Sequence, residues 1–234
     1  MSKRFLLACA LLTFVVYACA AQAPNPEPAS QGGQAAAPPS RKVQGRTLVS
    51  AERPAVRIEF DKAFEYAGAQ SFILYDVAHA EQHFFVDADR EKRVRRLYWV
   101  QFEGYLPTNN HTYDYSKVKE RLNLGGLDFV TDAVFANIAQ VRAARPDSDG
   151  ARARAFLEGK GYRFTGNDFA WRRLVHLTDE TRRDELLIIY LEDLSRSGLT
   201  AADLAPQGRA AARWPELSNQ LLQRATKGMK ISRL

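Results

Sequence analysis

From Val94 to Leu106 the chain is an almost unbroken run of β-forming residues, and a run of that length demands a long strand near the centre of whatever fold the chain adopts. On an extended backbone successive side chains point to opposite faces. Val94, Tyr98, Val100, Phe102 and Leu106 then share one face, with Arg96 as its polar exception. Arg95, Leu97, Trp99, Gln101, Glu103 and Tyr105 share the other. The first is a core face. The second combines aromatic area with an amide and a carboxylate, the composition of a wall that lines a ligand. If Glu103 is buried there, its pKa is raised and it can act as a general acid or base. The same composition also fits the solvent side of a one-sided sheet shielded by its aromatics.

Strand signals continue on both sides of this run. Val56–Phe60 alternates apolar and polar residues, as does part of Phe64–Val77, and Gln82–Val86 is rich in aromatics. Asp87–Lys92 lies between two strands. Its alternating acids imitate the opening of an EF-hand, but the Gly at loop position six and the closing Glu are missing, so it reads as a polar hairpin loop. Leu127, Val130, Val134, Ile138 and Val141 fall at three- and four-residue spacing. That spacing predicts a helix opened by Gly125-Gly126 and closed at Arg145-Pro146, with a shorter helix over Asp149–Glu158. Tyr162–Thr165 and Asp168–Trp171 read as a hairpin around Gly166-Asn167. Leu186–Leu191 is apolar on both faces and reads as a central strand. A last helix starts at Pro215 and ends near Gly228. This order predicts an α+β fold: a curved antiparallel sheet of five to seven strands, with the helices packed on one face.

The N-terminal end supplies an address. Lys3 and Arg4 precede an apolar run from Phe5 to Ala18, too short to span a bilayer, and small residues follow at Ala18-Cys19-Ala20. Residues 1–20 therefore read as a secretory signal. Val16-Tyr17-Ala18-Cys19 also resembles a bacterial lipobox, apart from its Tyr, which makes Cys19 a candidate for lipidation. Residues 21–45 read as a disordered Pro/Ala/Gln-rich linker of the kind that spaces a domain from a membrane, and residues 46–234 as one domain. Both cysteines, Cys9 and Cys19, lie in the signal. The domain thus has no disulfide, cysteine-bound metal or cysteine nucleophile, and must rest on its hydrophobic core.

The formal net charge is +6, of which Lys3 and Arg4 leave with the signal. Basic residues gather at Arg90–Arg96, Arg172-Arg173 and Arg182-Arg183. They read as solvated turns and strand faces, or as a patch for an anionic envelope component. Export excludes a nucleic-acid role.

The candidate chemistry is sparse. His79 and His83 would share a helix face within reach of one metal ion. On a strand they stand roughly 13 Å apart, so no metal site is expected. His176 reads as a core or edge histidine. The loop Pro107–Tyr115 is dense in polar and aromatic groups, and loops of this kind carry function. His111 with Asp114 and Glu103 could form an acid–base set there, while Tyr113 and Tyr115 either stack on a flat ligand or pack the loop on the core. Asn110-His111-Thr112 is a glycosylation sequon. No Gly-x-Ser-x-Gly, Ser-x-x-Lys or phosphate-cradling loop is present.

These readings converge on an exported bacterial envelope protein, periplasmic or extracellular, whose domain binds a small amphipathic or hydrophobic ligand in a sheet concavity without catalysis. The expected ligand-binding residues are Trp99, Gln101, Glu103, Tyr105, His111 and Tyr113. No catalytic residue, metal or cofactor is expected, and membrane contact only through a lipid on Cys19. Two alternatives stand beside it: a protein–protein assembly module of the envelope, and a hydrolase using Glu103 and His111.

Overall fold

The computed structural model describes residues 36–234. The signal, Cys19 and the linker as far as residue 35 lie outside the described residues. The strands are β1 (Lys42–Gln44), β2 (Thr47–Ser50), β3 (Val56–Phe60), β4 (Glu65–Leu74), β5 (Ala78–Ala88), β6 (Val94–Tyr105), β7 (Arg121–Leu124), β8 (Leu127–Asn137), β9 (Asp168–Leu177), β10 (Asp184–Asp193) and β11 (Met229–Arg233). The helices are α1 (Ile138–Ala144), α2 (Asp149–Gly159), α3 (Ala201–Leu204) and α4 (Trp214–Lys227). Two antiparallel sheets result. One runs β1-β2-β3-β11 and the other β4-β5-β6-β10-β9-β8-β7. The α+β class follows.

The expected long strand is β6, and the apolar Leu186–Leu191 segment lies in β10, the middle strand of the seven. Burial on both faces is what its sequence requires. On the Tyr98 face, Phe85, Val100, Leu186 and Ile188 form the larger core with Ile58 and Phe60 of β3 and Leu221 and Ala225 of α4. The Phe60 and Phe85 rings stack at 4.0 Å, and the Tyr98 hydroxyl donates to the Ala225 carbonyl at 2.7 Å. On the Trp99 face, Phe84, Leu97 and Ile189 pack with Ala153 and Leu157 of α2. Each such side chain contributes about 1.5–3 kcal/mol on burial. The helices are therefore divided between the two sheet faces, and the single helical layer expected from sequence is corrected. Consecutive residues of β6 serve two cores, and each core recruits its own helix.

Two local expectations also change. Leu127–Asn137 is strand, and only the segment from Ile138 onward is helical. The buried residues at its start are Leu127, Phe129 and Thr131, a period of two that outweighs the three- and four-residue spacing of the valines. Gly125-Gly126, with φ of +59° and +82°, is the tight turn joining β7 to β8 and not helix punctuation. Tyr162–Thr165 makes no hairpin with β9. Its β-type pairing is an isolated parallel bridge between Arg163 and Arg93, and it meets β9 only through side chains, Phe164 against Phe169.

The domain also begins before Arg46. β1 pairs with β2, and Ser40 and Arg41 are bonded to Glu81 of β5. Among the described residues no helix is long and apolar enough to cross a membrane.

Candidate functional site

The register of the seven-stranded sheet builds the site row by row. Glu103 of β6 stands directly opposite Glu185 of β10. In the next row on the same face, Gln70, Gln82 and Gln101 follow one another across β4, β5 and β6. The row beyond holds Phe84, Trp99, Ile189, Arg173 and Asp132. Facing positions on neighbouring strands bring their Cβ atoms to about 5 Å, so these rows are contiguous polar and aromatic stripes.

The amides form a directed relay. Gln70 Nε2 donates to Gln82 Oε1 at 2.7 Å, and Gln82 Nε2 donates to Gln101 Oε1 at 2.7 Å. The indole N–H of Trp99 donates to the same oxygen at 3.1 Å. Gln101 Oε1 is thereby committed as an acceptor, and its Nε2 turns to Glu103 Oε2 at 2.5 Å. Gln82 and Gln101 are both fully buried. Their side chains are fixed by these partners within the fold.

The loop between β6 and β7 closes one side. Tyr113 donates to Glu103 Oε1 at 2.9 Å, and Tyr115 donates to Glu185 Oε2 at 2.8 Å. The two tyrosines pack with Val175 and Leu187, and Tyr113 stacks on Tyr105 at 4.4 Å. Arg183 ties the loop down through the carbonyls of His111 at 2.9 Å and Leu106 at 2.8 Å. Opposite the loop, the N-terminal end of α2 covers Trp99. A Cβ on Gly150 would lie 3.9 Å from that indole. Asp149 stands in this first turn, and its carbonyl accepts from Gln82 at 3.3 Å.

Three carboxyl groups thus share one face, Glu185 buried and Glu103 and Asp149 half-buried. Burial first, then the charge of Asp149, pushes Glu103 up to about 7. Burial, then the charge of Glu103, raises Glu185 well above the usual carboxylate range. Burial also raises Asp149. Like charges this close in a low-dielectric site do not all ionise at neutral pH. Arg173 sits beside the group but belongs to Asp132, which it binds with two hydrogen bonds of 3.0 and 2.6 Å.

The structure thus brings Trp99, Gln101, Glu103, Tyr105 and Tyr113 together on one face. His111 lies at the rim, its ring 5.6 Å from that of Tyr105, and no hydrogen bond joins it to Glu103. Asp114 is exposed and pairs with Arg182. His176 is on the opposite face, bonded to the Asp128 carbonyl at 2.9 Å. Glu185, Asp149 and Gln82 were not among the residues singled out by sequence. Several of the basic residues have partners within the fold: Arg95 and Arg96, still part-exposed, both bind Asp87, and Arg172, 1 % exposed, reaches Thr131, Ser218 and Glu120.

A second polar network occupies the other face of β5. His83 bonds Glu81 through Nε2 at 2.8 Å and Tyr66 through Nδ1 at 3.1 Å. The order hydroxyl–imidazole–carboxylate imitates a catalytic relay, but Glu81 and His83 are fully enclosed, and burial pushes the Tyr66 hydroxyl up to about 12, away from nucleophilic use. His79 turns instead to the Ala37 carbonyl at 3.3 Å. Among the described residues no three His, Cys, Asp or Glu side chains are grouped to hold a metal ion. Comparison of the chain with family models, with curated proteins and with solved structures found no match in any of the three.

Proposed function

We propose that this chain is an exported envelope protein whose domain binds a small amphipathic ligand on the Trp99–Gln101–Glu103 face and does no chemistry on it. The observation that carries the reading is the preorientation of that wall. Gln101 is held by Gln82 and Trp99 so that its amide aims at Glu103, and Tyr113 fixes the other oxygen of the same carboxyl. Polar groups fixed in advance beside aromatic area lower the ordering cost of binding. Tyr105 and His111 stand at the rim of this wall, where the apolar part of a ligand would rest. Export places the protein in the periplasm or outside the cell, free or held by a lipid on Cys19.

Native mass spectrometry of the full chain, purified after export, tests this. A reproducible bound mass that disappears in Tyr105→Ala supports it. A protein that takes up no amphipathic small molecule fails it, and an envelope protein partner is then the reading to pursue.

One observation favours a second reading, general acid–base hydrolysis. Glu103 and Glu185 face each other in environments that hold protons to different extents. In that reading Glu185, rather than His111, is the partner of Glu103.

A further inference from the structure

Of the edge strands of the two sheets, β1, β7 and β11 are guarded. They run three, four and five residues and carry Lys42, Arg121, and Lys230 with Arg233. Short length and basic side chains keep an edge from pairing with another strand. β4, the remaining edge, has neither device. It runs ten residues, and from Tyr66 to Leu74 it holds no charge and no proline. A bulge between Tyr66 and Gly68 bends its beginning and leaves Ala69–Leu74 regular.

The ladder fixes which groups of this edge are open. The Leu106 N–H donates to the carbonyl of Val77, the residue before β5, at 2.8 Å, and the Tyr105 N–H turns away to the Arg183 carbonyl at 2.9 Å. Residues of an antiparallel strand bond their two neighbours alternately. Val77, His79 and Glu81 therefore bond toward β6, while Ala78, Ala80 and Gln82 bond their partners Leu74, Phe72 and Gln70 in β4. Ala69, Ser71 and Ile73 then point their N–H and C=O groups away from the sheet. No hydrogen bond reaches these backbone groups among the described residues, and all three residues are half-buried. The faces of β4 are covered: Ser71 Oγ donates to the Ala37 carbonyl on one side, and on the other Arg152 lies over the Phe72 ring at 4.8 Å. Neither contact bonds the edge.

We propose that β4 pairs antiparallel with β4 of a second copy of this chain, about a two-fold axis at Ser71. In that register Ser71 meets its own counterpart and Ala69 meets Ile73, so every open N–H finds an open C=O and six ladder bonds form. Gln70 stands opposite Phe72, and no like charges face each other, as they would in a charged edge paired with itself. A copy also closes two unguarded edges at once. Residues 21–35 of the same chain make a poor substitute, because they hold no β-branched or aromatic residue and include Pro24, Pro26 and Pro28. The pairing does not depend on what the Trp99 face binds.

Sedimentation velocity of the full chain, purified after export, is expected to show a monomer–dimer equilibrium over a concentration series. Hydrogen exchange on the same samples is expected to slow at least tenfold at the Ala69, Ser71 and Ile73 amides as the dimer fills. Ser71→Pro deletes two of the six ladder bonds and no bond to β5, so it should raise the dissociation constant at least tenfold. The exchange measurement stands even if that variant does not fold. A chain that is monomeric at every concentration overturns the proposal, whether these amides exchange freely or are protected by residues 21–35. A different protein found paired with the edge overturns it too. A dimer whose Ser71 amide exchanges as in the dilute sample, or that Ser71→Pro leaves intact, is built on another surface and overturns it as well.

Discussion

Glu103 and Glu185 occupy facing positions on β6 and β10, each capped by a different tyrosine of one loop. Facing like charges weaken a sheet, so this ladder is held together at a position where its side chains oppose it. The opposition is relieved by protons. In the folded state the two carboxyls keep protons that an unfolded chain releases near pH 4.5.

That retention sets the direction of a pH effect on stability. Glu103 and Glu185 both have raised pKa values, so their contribution is present in full below about pH 4.5 and falls as the pH rises, that of Glu103 through about 7. The slope is about 1.4 kcal/mol per pH unit for each proton retained. Urea midpoints are therefore expected to fall from pH 5 to pH 8. Glu185→Gln, which cannot ionise, should flatten that fall and be the more stable protein at pH 8. Midpoints that climb over this range would falsify the assignment.

The tyrosines act on the pair in the opposite sense. A hydroxyl donating to a carboxylate favours the ionised form, and Tyr113 does this for Glu103 against the upward push of burial. Tyr113→Phe is expected to move the Glu103 titration further above 7, seen as a shifted carboxyl resonance in a 13C-labelled titration. Tyr115→Phe should move Glu185 and leave Glu103 nearly in place. Each variant is expected to lose about 1–3 kcal/mol of stability. An unmoved midpoint for Glu103 in Tyr113→Phe would mean that the loop does not hold this carboxyl in solution.

How much of this was legible in the sequence depended on range. The faces of β6 are a local property, so alternation alone separated Trp99, Gln101 and Glu103 from Tyr98 and Val100. Glu185 was hidden because it precedes the apolar Leu186–Leu191 segment and joins Glu103 only through inter-strand register, a non-local quantity. Asp149 was readable as a helix start but not as a neighbour of Gln82. The misread segment at Leu127 is different, since a cue was present. Phe129 breaks the helical spacing and fits alternation with Leu127 and Thr131, and Gly125-Gly126 between short β-forming runs is a hairpin signal.

That hairpin gives a prediction of its own. Gly125 has φ of +59°, and a Cβ there would lie 2.2 Å from the Ile231 carbonyl oxygen of β11. Gly126 has φ of +82°, but its Cβ would meet only the Arg233 side chain, at 3.6 Å. Gly126→Ala carries the backbone cost alone, about 1 kcal/mol. Gly125→Ala adds a collision with backbone that cannot step aside, so it is expected to cost at least about 2 kcal/mol more. Equal melting temperatures for the two variants would show that the turn does not press on β11.

The last prediction concerns the start of the domain. Arg41 holds Glu81 twice, with its backbone N–H at 2.9 Å and its guanidinium at 2.8 Å, and lies over the Phe102 ring at 4.3 Å. Burial alone would raise Glu81, but the hydrogen bonds from His83, Arg41 and Ser40 outweigh it and hold the carboxyl well below the usual range. Removing the guanidinium leaves a carboxylate of 0 % exposure short of its cation, a loss of about 3–5 kcal/mol for a broken buried pair. Arg41→Ala is expected to be destabilised by about 3 kcal/mol at pH 7, and Arg41→Lys to recover only part, since it offers one point charge where the fork also bonded Ser50. A depressed pKa contributes stability above about pH 4.5 and loses it as the pH falls. The gap between the native chain and Arg41→Ala should therefore narrow in acid, the reverse of the Glu185→Gln series. Urea titrations of both variants at pH 3, 5 and 7 separate the two faces of the sheet by the sign of that change. A gap that stays constant with pH would remove the ion pair and leave only the packing of Arg41 on Phe102.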